Sequence, residues 1–450
     1  MFDREGREGF AMIWAALFIT LLNMGVSGQA TPPKIDAPTV EPPTWNDQIG
    51  SIIETRCVTC HAPGRSGPFS LATSDAVQNR ATFLIEVIEA GRMPPWLPRA
   101  GVFEHQRTIP ASEVSAIRAW RDGGSPIGEG PPKILVAAVD GAFQTDLVLQ
   151  MPAAYEIPEE SDPAWHSGEL DVHGVNFPLQ NSAPLKVRAI RHVAAAPRAM
   201  KVAAFAFDTT GTGRYLDDRD SRVGFLMGGD AGLRPVGADG MILNGSGDFR
   251  LPVGFHLPVE RGSDLVAQFQ YRPTGKVERL QERIELELVP EDQESRPVRW
   301  LPLAVGRVQI DAEVVKTYTS KEIVLEGAVD LVGLSPRAIE ICKSLWVDAV
   351  FPSGVRKRIL EIPDWDHHQR ETYVPVTPIR LSAGTTLMAS FLLDNTSENP
   401  QNPDDPAVPI RRGRRTGVLN VIAQVAAVEP EFDDVFVAWR DRISQAFMRP

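Results

Sequence analysis

Cysteine is scarce, three residues in a chain of 450, and that excludes a disulfide framework. Cys57 and Cys60 stand close together and Cys342 has no evident partner, so stability must come from packed cores and not from covalent staples. Basic charge is also short. The 46 Lys and Arg against 58 Asp and Glu give a formal net charge of −12, which excludes a nucleic-acid-binding protein, because polyanions are held by clustered cations. The small cluster Arg411, Arg412, Arg414 and Arg415 reads as a solvated loop. Long apolar runs are missing but for residues 10–26, which end in small residues ahead of Gly28, Gln29 and Ala30, placed like a signal-peptidase site. The flank lacks the usual positive charge, since Asp3, Glu5 and Glu8 outnumber Arg4 and Arg7. Residues 1–30 are therefore expected to be a signal peptide or, if uncleaved, a membrane anchor. The run is slightly short of the ~20 residues that span a bilayer, which favours cleavage. The expected location is periplasmic or extracytoplasmic, with membrane association where the N-terminus is retained.

What is present divides into helical and strand-like stretches. The chain is too long for one core, and three folded units are expected. Residues 31–44 form a Pro-rich linker without apolar periodicity. Residues 45–130 carry helical spacing: Ile49, Ile52 and Ile53, then Phe83, Leu84, Val87 and Ile88, then Val114, Ile117 and Trp120. Ser112 and Glu113 suit a helix start and Gly123-Gly124 a stop. Beyond the Gly and Pro of 128–133 the segments become short, often alternating, and bounded by turn residues. Those at 147–150, 186–193, 201–207, 265–271 and 283–289 fall in a unit at 140–291. Those at 323–332, 345–351 and 386–393 fall in a second unit at 300–428. The tail, 429–450, with Val435, Phe436, Trp439, Ile443 and Phe447, reads as an amphipathic helix docked on a core.

The chemistry concentrates at Cys57-Val58-Thr59-Cys60-His61. Two thiols at this spacing reach the two vinyl groups of one haem, and the adjacent imidazole turns onto its iron. The competing readings are a redox disulfide or half a zinc site, and no second cysteine pair exists to complete the latter. One covalent haem c is expected, with His61 axial. A second axial ligand comes from a segment folding over the far haem face. Met93 is the choice, in Gly91-Arg92-Met93-Pro94-Pro95-Trp96, where the prolines end the preceding helix. The bland reading of Met93 is core filler, and His105 is the competing ligand.

The stretch with Cys57 to His61, Gly67-Pro68-Phe69-Ser70-Leu71, Arg92-Met93-Pro94-Pro95-Trp96 and Trp120-Arg121-Asp122-Gly123-Gly124 resembles the cytochrome c modules that bacterial proteins join to a copper-dependent monooxygenase-like pair of domains. In that family the Met of this motif is the natural sixth ligand, which favours Met93; a His commonly follows the Trp, and here Leu97 stands. The remainder resembles the copper type II, ascorbate-dependent monooxygenases, the peptidylglycine-hydroxylating enzymes. The landmarks are residues 146–152, 208–211, 262–266, 271–276, 364–366 and 394–396. The resemblance implies a multi-domain fold class: a small all-α c-type cytochrome domain followed by two all-β, jelly-roll-like sandwich domains.

The family binds copper in each domain. Its His-His pair falls on Lys201 and Val202 and its further His on Gln270, while in the second domain the His-x-His pair falls on Arg337 and Ile339 and the Met near Asn420. Lys and Arg offer only protons, and Val and Ile offer nothing, so copper is not expected. His367 and His368 read as a partly exposed pair, and Cys342 as a buried thiol. The reading is an exported, non-enzymatic electron carrier whose β units serve as scaffold or docking surface, with a redox partner protein, in a membrane respiratory or photosynthetic complex. Two alternatives stay open: a copper monooxygenase with ligands relocated to His166, His173, His192 and His256, or a haem-linked ligand sensor.

Overall fold

The computed structural model describes residues 41–99, 101–136, 143–160, 166–167, 170–225, 241–245, 247–412 and 419–438. The expected signal segment 1–30 lies outside the described residues, as do Trp439, Ile443 and Phe447 of the expected tail helix.

Short helices come first, each begun or ended by a residue suited to it. Thr44 accepts from the Asp47 amide ahead of the turn Trp45–Ile49, which runs into the helix Gly50–Arg56. Thr73 accepts from the Ala76 amide and starts Ser74–Gln78. Ala81–Glu89 is followed by Gly91 at a left-handed φ of 69°, and Ala111–Asp122 closes on Gly123 and Gly124. Trp45 and Trp120 are wholly buried with ring centroids 6.0 Å apart. Their indole N–H groups donate to the carbonyls of Lys133 and Pro126, so each ring buries without an unpaired donor.

The strands build paired sheets. In the first unit a five-stranded sheet has Asp264–Tyr271 at its centre, flanked antiparallel by Leu170–Pro178 and Met200–Asp208. A six-stranded sheet contains Leu147–Gln150, Arg283–Leu288 and Leu185–Val193 in antiparallel order. Phe205, Phe269, Val187, Ile190, Leu265 and Leu286 fill the core that these strands share. In the second unit Asn420–Ala427 lies between Arg299–Ala304 and Val329–Arg337, and Thr386–Asn395 lies between Cys342–Val350 and Val314–Thr319. Val332, Val374 and Ala426 of the second unit pack into the first unit's core.

A strap joins the helices to the second unit. Phe103, 2% exposed, sits in that unit's core, and Trp96 and Leu97 pack against it. The Arg99 amide donates to Glu361 O at 2.7 Å, the Glu104 amide to Val374 O at 2.8 Å and the Val376 amide to Val102 O at 3.1 Å. Trp96 meets Tyr373 edge-on with centroids 5.5 Å apart.

These contacts correct the expected fold class. The chain is mostly β, 37% strand against 15% helix, and among the described residues there is no evident small all-α cytochrome domain. The sheets fit a β-sandwich arrangement, and residues 42–450 form one compact unit. The physical reason lies in the strap. The helices run only 5 to 12 residues, and the segment that would close over them as a separate domain is spent in a β core instead.

Removing the Phe103 ring should therefore cost about 3 kcal/mol or more, the usual price of emptying an aromatic site. Urea unfolding of Phe103→Ala measures it. Stability should also fall in weak acid. Burial holds His173 and His256 down at about 4, against an ordinary value of 6.5. The unfolded chain takes up these protons first, so stability present above about pH 6.5 is lost as pH falls toward 4. The urea midpoint should be lower at pH 5 than at pH 7, with each histidine contributing on the order of 1 kcal/mol.

Candidate functional site

The helix Gly50–Arg56 delivers the thiols. The Cys57 amide donates to Ile53 O at 2.9 Å, continuing the helical pattern, and the amides of Cys60 and His61 turn back on Cys57 O at 3.2 and 2.9 Å. Cys57, Cys60 and His61 thus share one tight turn anchored by Val58, which is wholly buried. Both cysteines are free thiols; Cys57 is half-buried and Cys60 exposed.

The next loop fixes the imidazole. Gly67 N–H donates to Cys60 O at 2.8 Å and Leu71 N–H to His61 O at 2.7 Å. A Cβ on Gly67 would lie 2.7 Å from His61 Nδ1 and 2.8 Å from Cys60 O, so this close approach requires glycine. His61 Nδ1 lies 2.9 Å from Phe69 O. A carbonyl only accepts, so Nδ1 carries the proton and Nε2 is left as the nitrogen with a lone pair for a metal. The Phe69 ring packs 4.8 Å from the imidazole, and the Arg80 guanidinium lies 4.9 Å over the Phe69 ring.

The environment of Cys57 disfavours its charged form. Burial, then the neighbouring Cys60, pushes the Cys57 thiol up to about 12. The nearest guanidinium, Arg56, is engaged by Glu113 at 2.9 and 2.8 Å. A thiolate ligand to zinc would have to ionise there, whereas a thioether carries no charge to desolvate.

Met93 follows the helix Ala81–Glu89. Its amide and that of Arg92 both donate to Val87 O, at 3.1 and 2.9 Å, which holds the Met93 backbone against the helical part while 38% of the residue stays exposed. His105, exposed and at a positive φ of 54°, stands on the strap, next to Glu104, whose amide bonds Val374.

Sequence reasoning missed Arg107. Its Nε donates to Pro95 O at 2.9 Å, its guanidinium lies 5.3 Å over the Trp96 ring, and it forms an ion pair with Glu371. Burial opposes the Arg107 charge, but Glu371 more than offsets this, and Cys60 lies within its electrostatic reach. No local signal marks a pair 264 positions apart.

Among the positions where the resemblance places copper ligands, two pairs are cross-strand partners: Val202 faces Gln270, and Arg337 faces Asn420. Their chemistry does not fit the metal. Lys201 Nζ donates to Arg198 O at 3.1 Å, Val202 is buried, and Ile339 packs on the second core. Gln270 accepts from the Arg370 guanidinium and donates to Gln268 Oε1 at 3.2 Å, so a fixed positive charge already stands beside it. The other histidines are engaged separately. His192 bonds Glu282 at 2.5 Å and Gly245 O at 3.0 Å, His173 bonds Val223 O at 2.5 Å, and His256 bonds Ser295 Oγ at 2.8 Å. The His166 side chain lies outside the described residues. Cys342 is buried, and burial raises its thiol. Asp366, His367 and His368 are the one group among the described residues whose donor atoms converge enough for a metal ion.

No known family profile matches the chain, and no curated protein does. Among solved structures the chain is slightly similar to PNGF-II, with a TM-score of 0.27 and 10% identity over 62% of this chain and 65% of that one. It is also slightly similar to the major capsid protein P2 of bacteriophage PM2, with a TM-score of 0.23 and 9% identity over 62% of this chain and 99% of that one. The match thus spans less than two thirds of PNGF-II. At these scores neither likeness carries an inference about fold or function.

Arg107→Ala leaves the partly buried Glu371 without its guanidinium and frees the Pro95 carbonyl. The expected loss is about 2 kcal/mol, typical for hydrogen bonds to a charged group. Urea unfolding measures that loss, and limited proteolysis should show faster cutting within residues 96–108.

Proposed function

We propose that the chain is an exported monohaem c-type cytochrome that works in electron transfer, with its β units as scaffold or docking surface. The observation that carries this reading is the His61 imidazole, locked by the Phe69 carbonyl and the Gly67 backbone on the same turn as two unpaired thiols. Cys57 and Cys60 would hold the porphyrin, His61 Nε2 would face the iron, and Met93 would supply the second axial sulfur. When bound, haem c supplies one-electron chemistry. The protein's own part is orientation. Phe69 O keeps the His61 tautomer, Gly67 lets the loop close over the ring, and Arg107 holds the Pro95 carbonyl and Trp96 ring two and three positions beyond Met93.

The net charge of −12 would orient the protein toward a basic redox partner, since summed charge steers encounters between such proteins. A membrane respiratory or photosynthetic complex is a partner of that kind. Copper has no part in this reading, because the residues at the corresponding positions are Lys201, Val202, Gln270, Arg337, Ile339 and Asn420.

Elemental analysis of full-length protein from the exported fraction tests it. Iron equal to the protein, with copper near zero, is the expected result. Copper at two per chain with oxygen-dependent hydroxylation would replace this reading with the monooxygenase one. Met93→Ala should keep covalent haem but shift the reduction potential by on the order of 0.1 V, part of the roughly 0.8 V that axial ligands command. An unchanged potential would remove Met93 from the iron.

A further inference from the structure

We propose that Asp366, His367 and His368 form a binding site for a divalent transition-metal cation of the zinc type, taken up in exchange for the Arg272 guanidinium. The three side chains offer ligand atoms that all lie within 4.8 Å of one another. Donors sharing such an ion, at bonds of about 2.0–2.2 Å, stand roughly 3–4 Å apart, so a small closing motion suffices. His368 Nδ1 is 3.3 Å from Asp366 Oδ1, and the two imidazole centroids are 3.7 Å apart. Two imidazoles and a carboxylate are a donor set for zinc and its neighbours, and they suit calcium or magnesium poorly.

The loop is held from below. Trp365 is wholly buried in the second core and its amide donates to Lys343 O at 2.9 Å. The amides of His368 and Gln369 close on Asp366 at 2.9 and 3.0 Å, so the three donors are carried on a fixed turn. All three residues are partly exposed, which gives an ion a way in.

The surrounding charges explain why the exchange is needed. An Arg272 N–H lies 3.2 Å from His368 Nε2, and since guanidinium only donates, that nitrogen accepts. Arg272 therefore holds the tautomer with the proton on Nδ1, the nitrogen 3.3 Å from Asp366 Oδ1, and a metal on Nδ1 would move that proton to Nε2, which a guanidinium cannot face. Arg272 is exposed, unlike Arg370, which is buried and donates to Gln270. Asp366 and the nearby Glu340 supply the negative charge. A hydrogen bond between guanidinium and imidazole is a modest interaction, and a cation that gains three donors offsets its loss. None of the three donors falls on a position where the resemblance places copper, and the site does not depend on the haem reading.

Calorimetric titration of chelator-treated, full-length protein with Zn2+ tests the proposal. One equivalent should bind and survive gel filtration. His367→Ala and His368→Ala should each weaken binding by roughly 10- to 100-fold, the range seen when metal-supporting residues are lost. Arg272→Ala should strengthen it several-fold, and a Cys57→Ala, Cys60→Ala variant should bind zinc as before. The proposal is overturned if the wild type takes up no zinc, or if a His367→Ala, His368→Ala double variant titrates like the wild type. Unchanged affinity in Arg272→Ala would overturn the exchange. Loss of uptake in the cysteine variant would place the ion at the thiols.

Discussion

The seating of the strap in the second β core is the constraint on which the rest of the arrangement depends. Phe103 is buried among that core's side chains, and Trp96 packs against both Phe103 and Tyr373, whose rings also meet. Backbone hydrogen bonds to Glu361 and Val374 fix the strap's path, and Arg107 ties Pro95 to Glu371. Burying Phe103 contributes about 1.5–3 kcal/mol and the partly buried Trp96 adds to it, against about 1 kcal/mol for a single helix cap. Met93 lies directly ahead of this strap. The residue proposed as the sixth iron ligand is thus tied by its neighbouring strap to the second β unit.

The interior of the β units is closed by polar pairs and apolar packing at positions where the resemblance places copper ligands. Here Gln270 takes a guanidinium from Arg370, Val202 is apolar, and Ile339 joins the core. The buried His192–Glu282 pair, with His192 stacked at 5.2 Å on Phe269, is likewise closed on itself. These side chains keep the two units packed.

Much of this was legible in the chain because it is local. The strands expected at 147–150 and 265–271 appear as Leu147–Gln150 and Asp264–Tyr271, since alternating or continuous apolar runs between turn residues survive any tertiary arrangement. The turn of Cys57, Cys60 and His61 was legible for the same reason. The class of the fold was not. Its correction rests on contacts between residues 96–107 and 361–376, more than two hundred positions apart, and helical periodicity around Trp45 and Trp120 says nothing about where the next segment will be spent. Similarly, His367 and His368 looked like a bland exposed pair. What the sequence could not convey is that Asp366 turns back on His368 while buried Trp365 holds the loop rigid beneath them.

The most direct test of the haem account is the pyridine haemochrome spectrum of the full-length polypeptide after acidified-solvent extraction of all non-covalent porphyrin. The account predicts that the haem c band stays with the protein and disappears when Cys57 and Cys60 are both changed to Ala. A colourless extracted polypeptide, purified from cells competent to attach haem, would contradict it.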